Sequence, residues 1–562
     1  MKVLSKKLPI GISDFKIIIE DNYYYIDKTL LIKEIIESTG QVILLPRPRR
    51  FGKTLNLSMI KYFFEKKEEN NKHLFLKTNI WQEKEYQALH GKYPIIFLTF
   101  KDIKETSWEN AYKKIIAIIS EEFERYYLLF RKDLLPHVLE EFESILRKTA
   151  DEVTFSRSLF ILSKLLYKLY NTRVIILIDE YDAPIHAGYN YGYYNEIVQF
   201  MRSLLTSILK DNLYLEKGIL TGILRTSKEG IFSGLNNLAV YTLMDTDFQD
   251  KFGFTKQEVE RLLNDSNLID KFNEIQKWYN GYQFGNTTIY NPWSLLMCTK
   301  NQGVLKPYWV NTSDNQLIKK LLTLSGKEIK SDFELLLTNK TIEKEIDEAI
   351  IFPGIENNPR AIWSLLLFAG YLTYTQFRIE QGHSYCNLTI PNKEIELLYS
   401  SFIKDIFEST LTNPKVNILL TSLTTGQIDI FSELLQEFII NTISVYDLPN
   451  NEPEKSYHLF VLGLLVLLSD TYQVKSNRES GLGRYDIMLI PKNKKDLGII
   501  IEFKKVSSSD KSLEKSAQKA LDQIEEKNYA QELKDLDIKH IKFLGIAFQG
   551  KKVLVKSKDL LN

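Results

Sequence analysis

Through the first half of the chain, short apolar runs alternate with longer segments whose apolar residues recur at helical spacing. Residues 41–45, 93–99, 174–178, 218–224 and 238–243 are such runs. Unbroken apolar character suits strands covered on both faces better than strands with one wet face. Strands of that kind separated by helices predict a parallel sheet flanked by helices, here a five-stranded α/β unit. From about residue 252 to 441 helical periods dominate, punctuated by aromatic-rich turns at 278–284 and 290–293. The stretch Leu448-Pro-Asn-Asn-Glu-Pro-Glu454 stops helix and strand alike and marks a boundary. Beyond it the pattern predicts a helix (457–468), strands at 472–479, 485–491 and 498–504, a long helix over 513–533 and a strand at 541–548. The expected architecture is a multidomain α/β chain: a parallel-sheet core (1–250), a mostly helical middle region (251–447) and a smaller α/β domain (448–562).

Composition narrows the function classes. At 562 residues the chain exceeds one hydrophobic core. With 44% hydrophobic and 26% charged residues it is neither disordered nor fibrous in character. Basic and acidic residues number 73 and 72, so polyanion binding must come from local patches, not from a whole-molecule field. Two cysteines, Cys298 and Cys386, exclude a disulfide scaffold and a cysteine-rich zinc site, and fit a reducing, cytoplasmic compartment. Residues 1–15 lack a signal-peptide core and the most apolar run, 459–468, is too short to span a bilayer, so no membrane association is expected. Oligomeric state is left open.

Between the first predicted strand and the next helix lies Arg47-Pro-Arg-Arg-Phe-Gly-Lys-Thr54. Its end matches the phosphate-binding loop G-x-x-x-x-G-K-[ST], with Arg47 where the opening glycine would stand. Gly52 and the following helix would offer N–H groups to phosphate, Lys53 would reach the β- and γ-phosphates, and Thr54 would meet magnesium. Arg47, Arg49 and Arg50 are counted with the nucleotide-binding residues; Arg47 is expected to be strained if its φ is positive, and Arg49 or Arg50 can grip phosphate oxygens in compensation. A Gly-Lys-Thr triplet alone is more often a surface turn. The context changes that balance, because Val174-Ile-Ile-Leu-Ile-Asp-Glu180 is a buried strand ending in two carboxylates. Asp179 is expected to hold the metal and Glu180 to polarise the attacking water. Arg225, ending the run at 218–224, is expected to sense the γ-phosphate from the strand ends.

Gly11-Ile-Ser-Asp-Phe15, Tyr24-Tyr-Ile-Asp-Lys-Thr29, the arginine-rich loop through Ser58, Asp179-Glu-Tyr-Asp182 and Gly222-Ile-Leu-Arg225 together resemble the bacterial AAA-ATPase-like family. The resemblance covers nearly the whole chain and implies a P-loop NTPase core, bound ATP, an arginine-rich loop as a family trait, and a C-terminal PD-(D/E)XK nuclease-like domain. The Gly222 to Arg225 segment is also similar to the arginine sensor of signal-transduction ATPases with numerous domains.

Near the C-terminus, Gly483-Arg-Tyr-Asp-Ile-Met-Leu-Ile490 precedes Gly498-Ile-Ile-Ile-Glu-Phe-Lys504. A period of two puts Glu502 and Lys504 on one strand face and Phe503 on the other. Asp486 and Glu502 can form an oxygen-only site for Mg2+ or Mn2+, with Lys504 orienting water and offsetting phosphate charge. Glu-x-Lys alone usually marks a solvated strand; combined with Asp486 and the helix bearing Gln523 and Tyr529, it resembles the PD-(D/E)XK core. Glu454 and His458 are further ligand candidates, and Arg478, Arg484 and Lys505 are candidates for backbone phosphate contact.

The aromatic group Trp278, Tyr279, Tyr282, Trp293, Tyr308 and Trp309 is expected to be core between helices rather than a stacking platform. The functional expectation is an ATP-binding, ATP-hydrolysing protein coupled to a Mg/Mn-dependent nuclease acting on nucleic acid. The alternative is a nucleotide-dependent signalling or assembly module whose nuclease-like domain binds without cutting.

Overall fold

The computed structural model describes residues 6–67, 70–130, 134–225, 231–232, 235–309, 332–333, 335–337, 340–349, 355, 358–408, 413–442, 461, 464–465, 467–468, 470–480, 483–506, 512–550 and 552–560. The chain divides into two compact units, residues 1–321 with 343–395, and residues 322–342 with 396–562.

The first unit is built on a parallel sheet of β1 (Val42–Pro46), β2 (Ile95–Thr99), β3 (Val174–Asp179), β4 (Leu215–Gly222) and β5 (Leu238–Val240) in the order β2-β3-β4-β1-β5. Each strand lies on a predicted apolar run. β1 and β3 are buried along their whole length, which is why neither shows polar alternation. Each fully buried Ile, Leu or Val contributes roughly 1.5–3 kcal/mol relative to exposure. Helices α1 (Lys53–Phe64), α2 (Trp108–Phe130), α3 (Glu152–Tyr170), α4 (Ala183–Tyr191) and α5 (Tyr194–Leu209) connect the strands. Because all five strands run one way, their C-terminal ends share one edge, with the end of β4 between those of β1 and β3. That edge carries the first candidate site.

The middle region also contains strands that helical periodicity does not announce: the hairpin β6 (Tyr282–Phe284) and β7 (Thr287–Ile289), and a three-stranded sheet of β8 (Ile342–Ile346), β9 (Thr373–Glu380) and β10 (His383–Thr389). The β9–β10 turn is Gln381-Gly382, with φ of 50° and 83°. Both angles are positive, as tight hairpins require, but glutamine is not the Asn or Asp that usually signals such a turn. Tyr279, Tyr282, Tyr308 and Trp309 are buried. Trp293 stands apart: it opens α6 (Pro292–Lys300) and lines a cavity.

The second unit holds a five-stranded sheet of β11 (Tyr472–Ser480), β12 (Gly483–Pro491), β13 (Gly498–Lys505), β14 (Ile541–Gln549) and β15 (Lys552–Leu560), in that order. β13 and β14 are parallel and the other pairs antiparallel. One face, through Ile487, Leu489, Ile501 and Phe503, packs with α7 (Asn413–Thr424) and α8 (Ile428–Thr442). The other, through Met488, Ile490 and Ile500, packs with the segment that follows β13. The single helix expected over 513–533 is two, α9 (Leu513–Glu526) and α10 (Gln531–Asp535), separated at Asn528, whose φ of 50° ends the first. Strand β15 was not anticipated, because its Lys-rich alternation reads as a solvated tail. Most of the helix expected at 457–468 lies outside the described residues.

Gly545 of β14 pairs with Glu502 of β13 and lies under α9, where a Cβ would come 2.2 Å from the Ala517 carbonyl oxygen. Helix and sheet meet too closely there for any side chain. Gly545→Ala is expected to destabilise this unit by about 1–3 kcal/mol in denaturant unfolding, the usual range for overpacking.

Candidate functional site

β1 leaves the sheet into the loop that ends at Gly52, and Gly52 takes φ 87° immediately before α1. The second left-handed residue of the loop is Arg50, at φ 69°; the strain expected at Arg47 falls there instead. Arg47 is fully buried and faces away from the ligand side. Its Nη1 donates to the carbonyls of Pro46 (2.8 Å) and Tyr241 (2.7 Å), and its guanidinium lies over the rings of Phe252 and Phe284. Burial brings its pKa down to about 10, so it stays charged at neutral pH. Arg47 is therefore an anchor of the loop and not one of the phosphate-facing groups expected from the sequence.

The other loop residues, Arg49, Arg50, Gly52, Lys53 and Thr54, line a cavity of about 540 Å³. Lys53 is buried, and its Nζ donates to the carbonyls of Arg47 and Pro48 at 3.0 Å each, which closes the loop on itself. Burial pushes its ammonium below the ordinary lysine range, against the pull of Glu180, Asp179 and Asp182. The guanidinium of Arg50 sits 4.5 Å from the Trp293 ring centre. The uncapped N–H groups at the start of α1 make this corner a natural anion site.

Asp179, at the end of β3, is fully buried. Its Oδ2 accepts from Thr54 Oγ1 at 2.7 Å and Thr99 Oγ1 at 3.3 Å, and its Oδ1 accepts from Thr221 Oγ1 at 2.7 Å. The Thr54–Asp179 contact brings together the two groups expected to share a magnesium ion. Oxygen donors of this kind suit a hard divalent cation, so the residues present fit that ion. Glu180 follows at φ 49°, a conformation uncommon for glutamate, and lines the cavity. Arg225 is not brought to the cavity wall. It bridges in parallel to Ala349 and lies near Glu348, whose carboxyl is pushed up by burial and then by Asp245, with Arg225 opposing them. The γ-phosphate role expected of it is unsupported by this placement, because the chain turns it toward another segment.

In the second unit, Asp486 and Glu502 are cross-strand neighbours, one register step beyond the Ile487–Ile501 pair. Asp486 Oδ2 accepts the Phe503 backbone N–H at 2.7 Å. Glu502 is 2% exposed; its Oε1 accepts from Lys504 Nζ at 3.2 Å and from the Gln523 amide, while its Oε2 is buried with no hydrogen-bond partner. Burial first, then Asp486, push the Glu502 carboxyl up to about 7, and Lys504 opposes them. A buried acceptor without a donor, next to a second carboxylate, is the chemistry a divalent cation would satisfy. Asp486, Glu502 and Lys504 are thus brought together on one face. Among the described residues, no three His, Cys, Asp or Glu side chains converge, so remaining ligands would be water and phosphate oxygens. Glu454 and His458 lie outside the described residues, as do the side chains of Arg478 and Arg484; Lys505 is exposed.

Residues 9–232 match the family model described as Predicted AAA-ATPase, and residues 452–558 match that of the PD-(D/E)XK nuclease superfamily. The chain joins an AAA-ATPase-like region to a PD-(D/E)XK nuclease-superfamily region. It is also 27% identical over 393 residues to an uncharacterized protein in the vnfD 5' region of Azotobacter chroococcum mcd 1, covering 70% of this chain and 68% of that one. Among the described residues, no helix is long and apolar enough to cross a membrane.

Two features of the AAA-ATPase-like region were not found from the sequence. Asp182 is buried, and its Oδ2 accepts the backbone N–H groups of Ile223 (2.8 Å) and Leu224 (3.0 Å), with His186 Nε2 3.5 Å away. It ties the end of β3 to the end of β4. The two groups it grips on β4's continuation are main-chain N–H groups, which leave no side-chain signature. The segment after β2 brings Lys101, Asp102 and Lys104 to the cavity wall, where lysines after a strand are unremarkable in sequence. Asp182→Ala would leave two buried N–H groups unpaired and is expected to cost about 2–4 kcal/mol. Glu180→Gln, which removes no such grip, should cost roughly 1 kcal/mol or less. Parallel urea titrations of the two variants check the contrast.

Proposed function

We propose that this protein binds and hydrolyses ATP in its AAA-ATPase-like region and, through its PD-(D/E)XK region, cleaves phosphodiester bonds of nucleic acid in a nucleotide-regulated manner. The observation that carries this reading is the buried, donor-less oxygen of Glu502 beside Asp486, with Lys504 in contact, in a chain that also holds a phosphate-binding loop.

In the first site, the N–H groups at the start of α1, with Lys53, hold the β- and γ-phosphates. Thr54 and Asp179 would hold magnesium, whose charge would offset that building on the phosphates. Glu180 orients the water that attacks the γ-phosphorus. In the second site, Asp486 and Glu502 would hold Mg2+ or Mn2+, which would supply Lewis acidity. Lys504 orients the attacking water and offsets charge on the scissile phosphate; Gln523 fixes the Glu502 rotamer. Water adds to phosphorus, and the ester oxygen leaves with a proton. A reducing, cytoplasmic setting agrees with two buried free cysteines.

A second reading has one observation in its favour: Lys504 and Gln523 both engage Oε1 of Glu502, a closed arrangement that suits binding without cutting. Cleavage assays on single- and double-stranded substrates with Mg2+ or Mn2+ separate the two. Glu502→Gln and Lys504→Ala are expected to lower cleavage at least 100-fold, the scale of losing a general acid–base group; cutting that survives both discards this site. Lys53→Ala is expected to abolish ATP turnover, and unchanged turnover removes the loop from the reading.

A further inference from the structure

We propose that Lys101 and Lys104 read the terminal phosphate of a nucleoside triphosphate, so that the first site distinguishes triphosphate from diphosphate through the segment that follows β2. The inference rests on the nucleotide-binding reading above and assigns the part of it that Arg225 leaves unfilled.

The placement follows from the sheet. Thr99 of β2 is in register with Asp179 of β3, and the N–H of Phe100 donates to the Asp179 carbonyl at 3.0 Å. The chain after β2 therefore leaves the sheet beside the Asp179–Glu180 corner. Ile103 is fully buried, and its N–H donates to the Phe100 carbonyl at 3.0 Å, so the turn is pinned while its lysines are not. Lys101 and Lys104 are exposed and line the same cavity as Lys53 and Glu180.

What sets these two apart from the other lysines of the cavity wall is that, among the described residues, they have no partner; Lys53 is held by the carbonyls of Arg47 and Pro48. Lys28, also on the cavity wall, is paired with Glu258, and Lys251 with Glu34 and Asp250. Among the described residues, Lys101 and Lys104 make no ion pair or side-chain hydrogen bond. Asp102 stands between them and also lines the cavity, so the segment presents a net single positive charge.

A diphosphate engages the loop and the start of α1. The third phosphate must extend toward Thr54, Asp179 and Glu180, where two carboxylates would repel it. Flexible ammonium groups at that end compensate the extra charge and have little to contact when it is missing.

The test measures affinities of the full-length protein for ADP and for a non-hydrolysable ATP analogue by calorimetry with Mg2+. Wild-type protein is expected to prefer the triphosphate. Combined Lys101→Ala and Lys104→Ala substitution should weaken the analogue about tenfold or more, the scale of losing charge-assisted hydrogen bonds, with ADP affinity within about twofold. Lys101→Arg with Lys104→Arg should restore the preference. Both side chains are exposed, so the variants should fold; equal melting temperatures check this. A double-alanine variant that keeps the triphosphate preference overturns the assignment while leaving the loop reading intact. Wild-type protein that binds neither nucleotide overturns both.

Discussion

The buried carboxylate of Asp179 is the constraint around which the first unit is arranged. It has no solvent to hydrate it, so its oxygens must be met by donors from the protein. Three threonine hydroxyls meet it: Thr54 from the helix after the loop, Thr99 from the neighbouring strand β2, and Thr221 from the other neighbour, β4. One side chain thereby fixes three strand ends and the first turn of α1 relative to each other. The loop does not hold itself in place; its landing point is set by a hydrogen bond to a strand more than a hundred residues away. The neighbouring Asp182 repeats the device on main-chain donors at the end of β4. Together the two acids make the sheet edge rigid, and between them stands Glu180, in a backbone conformation a glutamate rarely adopts.

The second unit treats its carboxylates in the opposite way. Asp486 and Glu502 are forced together by cross-strand register, and one oxygen of Glu502 has no donor. The first site has a buried carboxylate whose oxygens the protein satisfies; the second has one with an oxygen that it leaves without a donor. An unsatisfied buried acceptor costs stability, and its retention points to an external group. Gly545 belongs to this arrangement, because the absence of its side chain lets α9 approach closely enough for Gln523 to reach Glu502. The local cost of the site is shared by a glycine, a glutamine and a lysine that touch the same carboxylate or its strand partner.

Much of this was legible in the sequence because burial on both faces leaves a plain trace. The five strands of the first sheet and the first four of the second lie where unbroken or alternating apolar runs put them. The residues bearing Asp179, Glu180, Asp486, Glu502 and Lys504 were legible for the same reason, since each ends or lines a strand that could be placed. What failed to appear did so on physical grounds. β15 carries lysines on an edge strand, a pattern that protects an exposed edge and imitates a tail. The break before α10 depends on one asparagine in a left-handed conformation inside a strong helical period. Asp182 acts on backbone groups, and backbone groups are the same in every sequence.

Arg47 shows most clearly why a motif letter underdetermines a role. In a glycine-rich loop the first position is free to move until phosphate orders it, and that ordering has an entropic cost. Here an arginine stands there, and its guanidinium is drawn inward by two carbonyls and two aromatic rings. Phe51 adds to the same anchorage: its ring packs 5.0 Å from Tyr282 and 5.4 Å from Phe284, and its carbonyl accepts the Gly253 N–H. The loop is therefore ordered from behind by residues 250–284 of its own unit, before any ligand arrives. That division explains the run of arginines. Arg47 faces the core and supplies rigidity, while Arg49 and Arg50 face the cavity and keep their charge for it. A middle region that sequence texture suggested as mostly helical contributes, in this part, the wall against which the loop is set. The left-handed backbone that glycine would have allowed at the first position is taken instead by Arg50 and Gly52, nearest the start of α1.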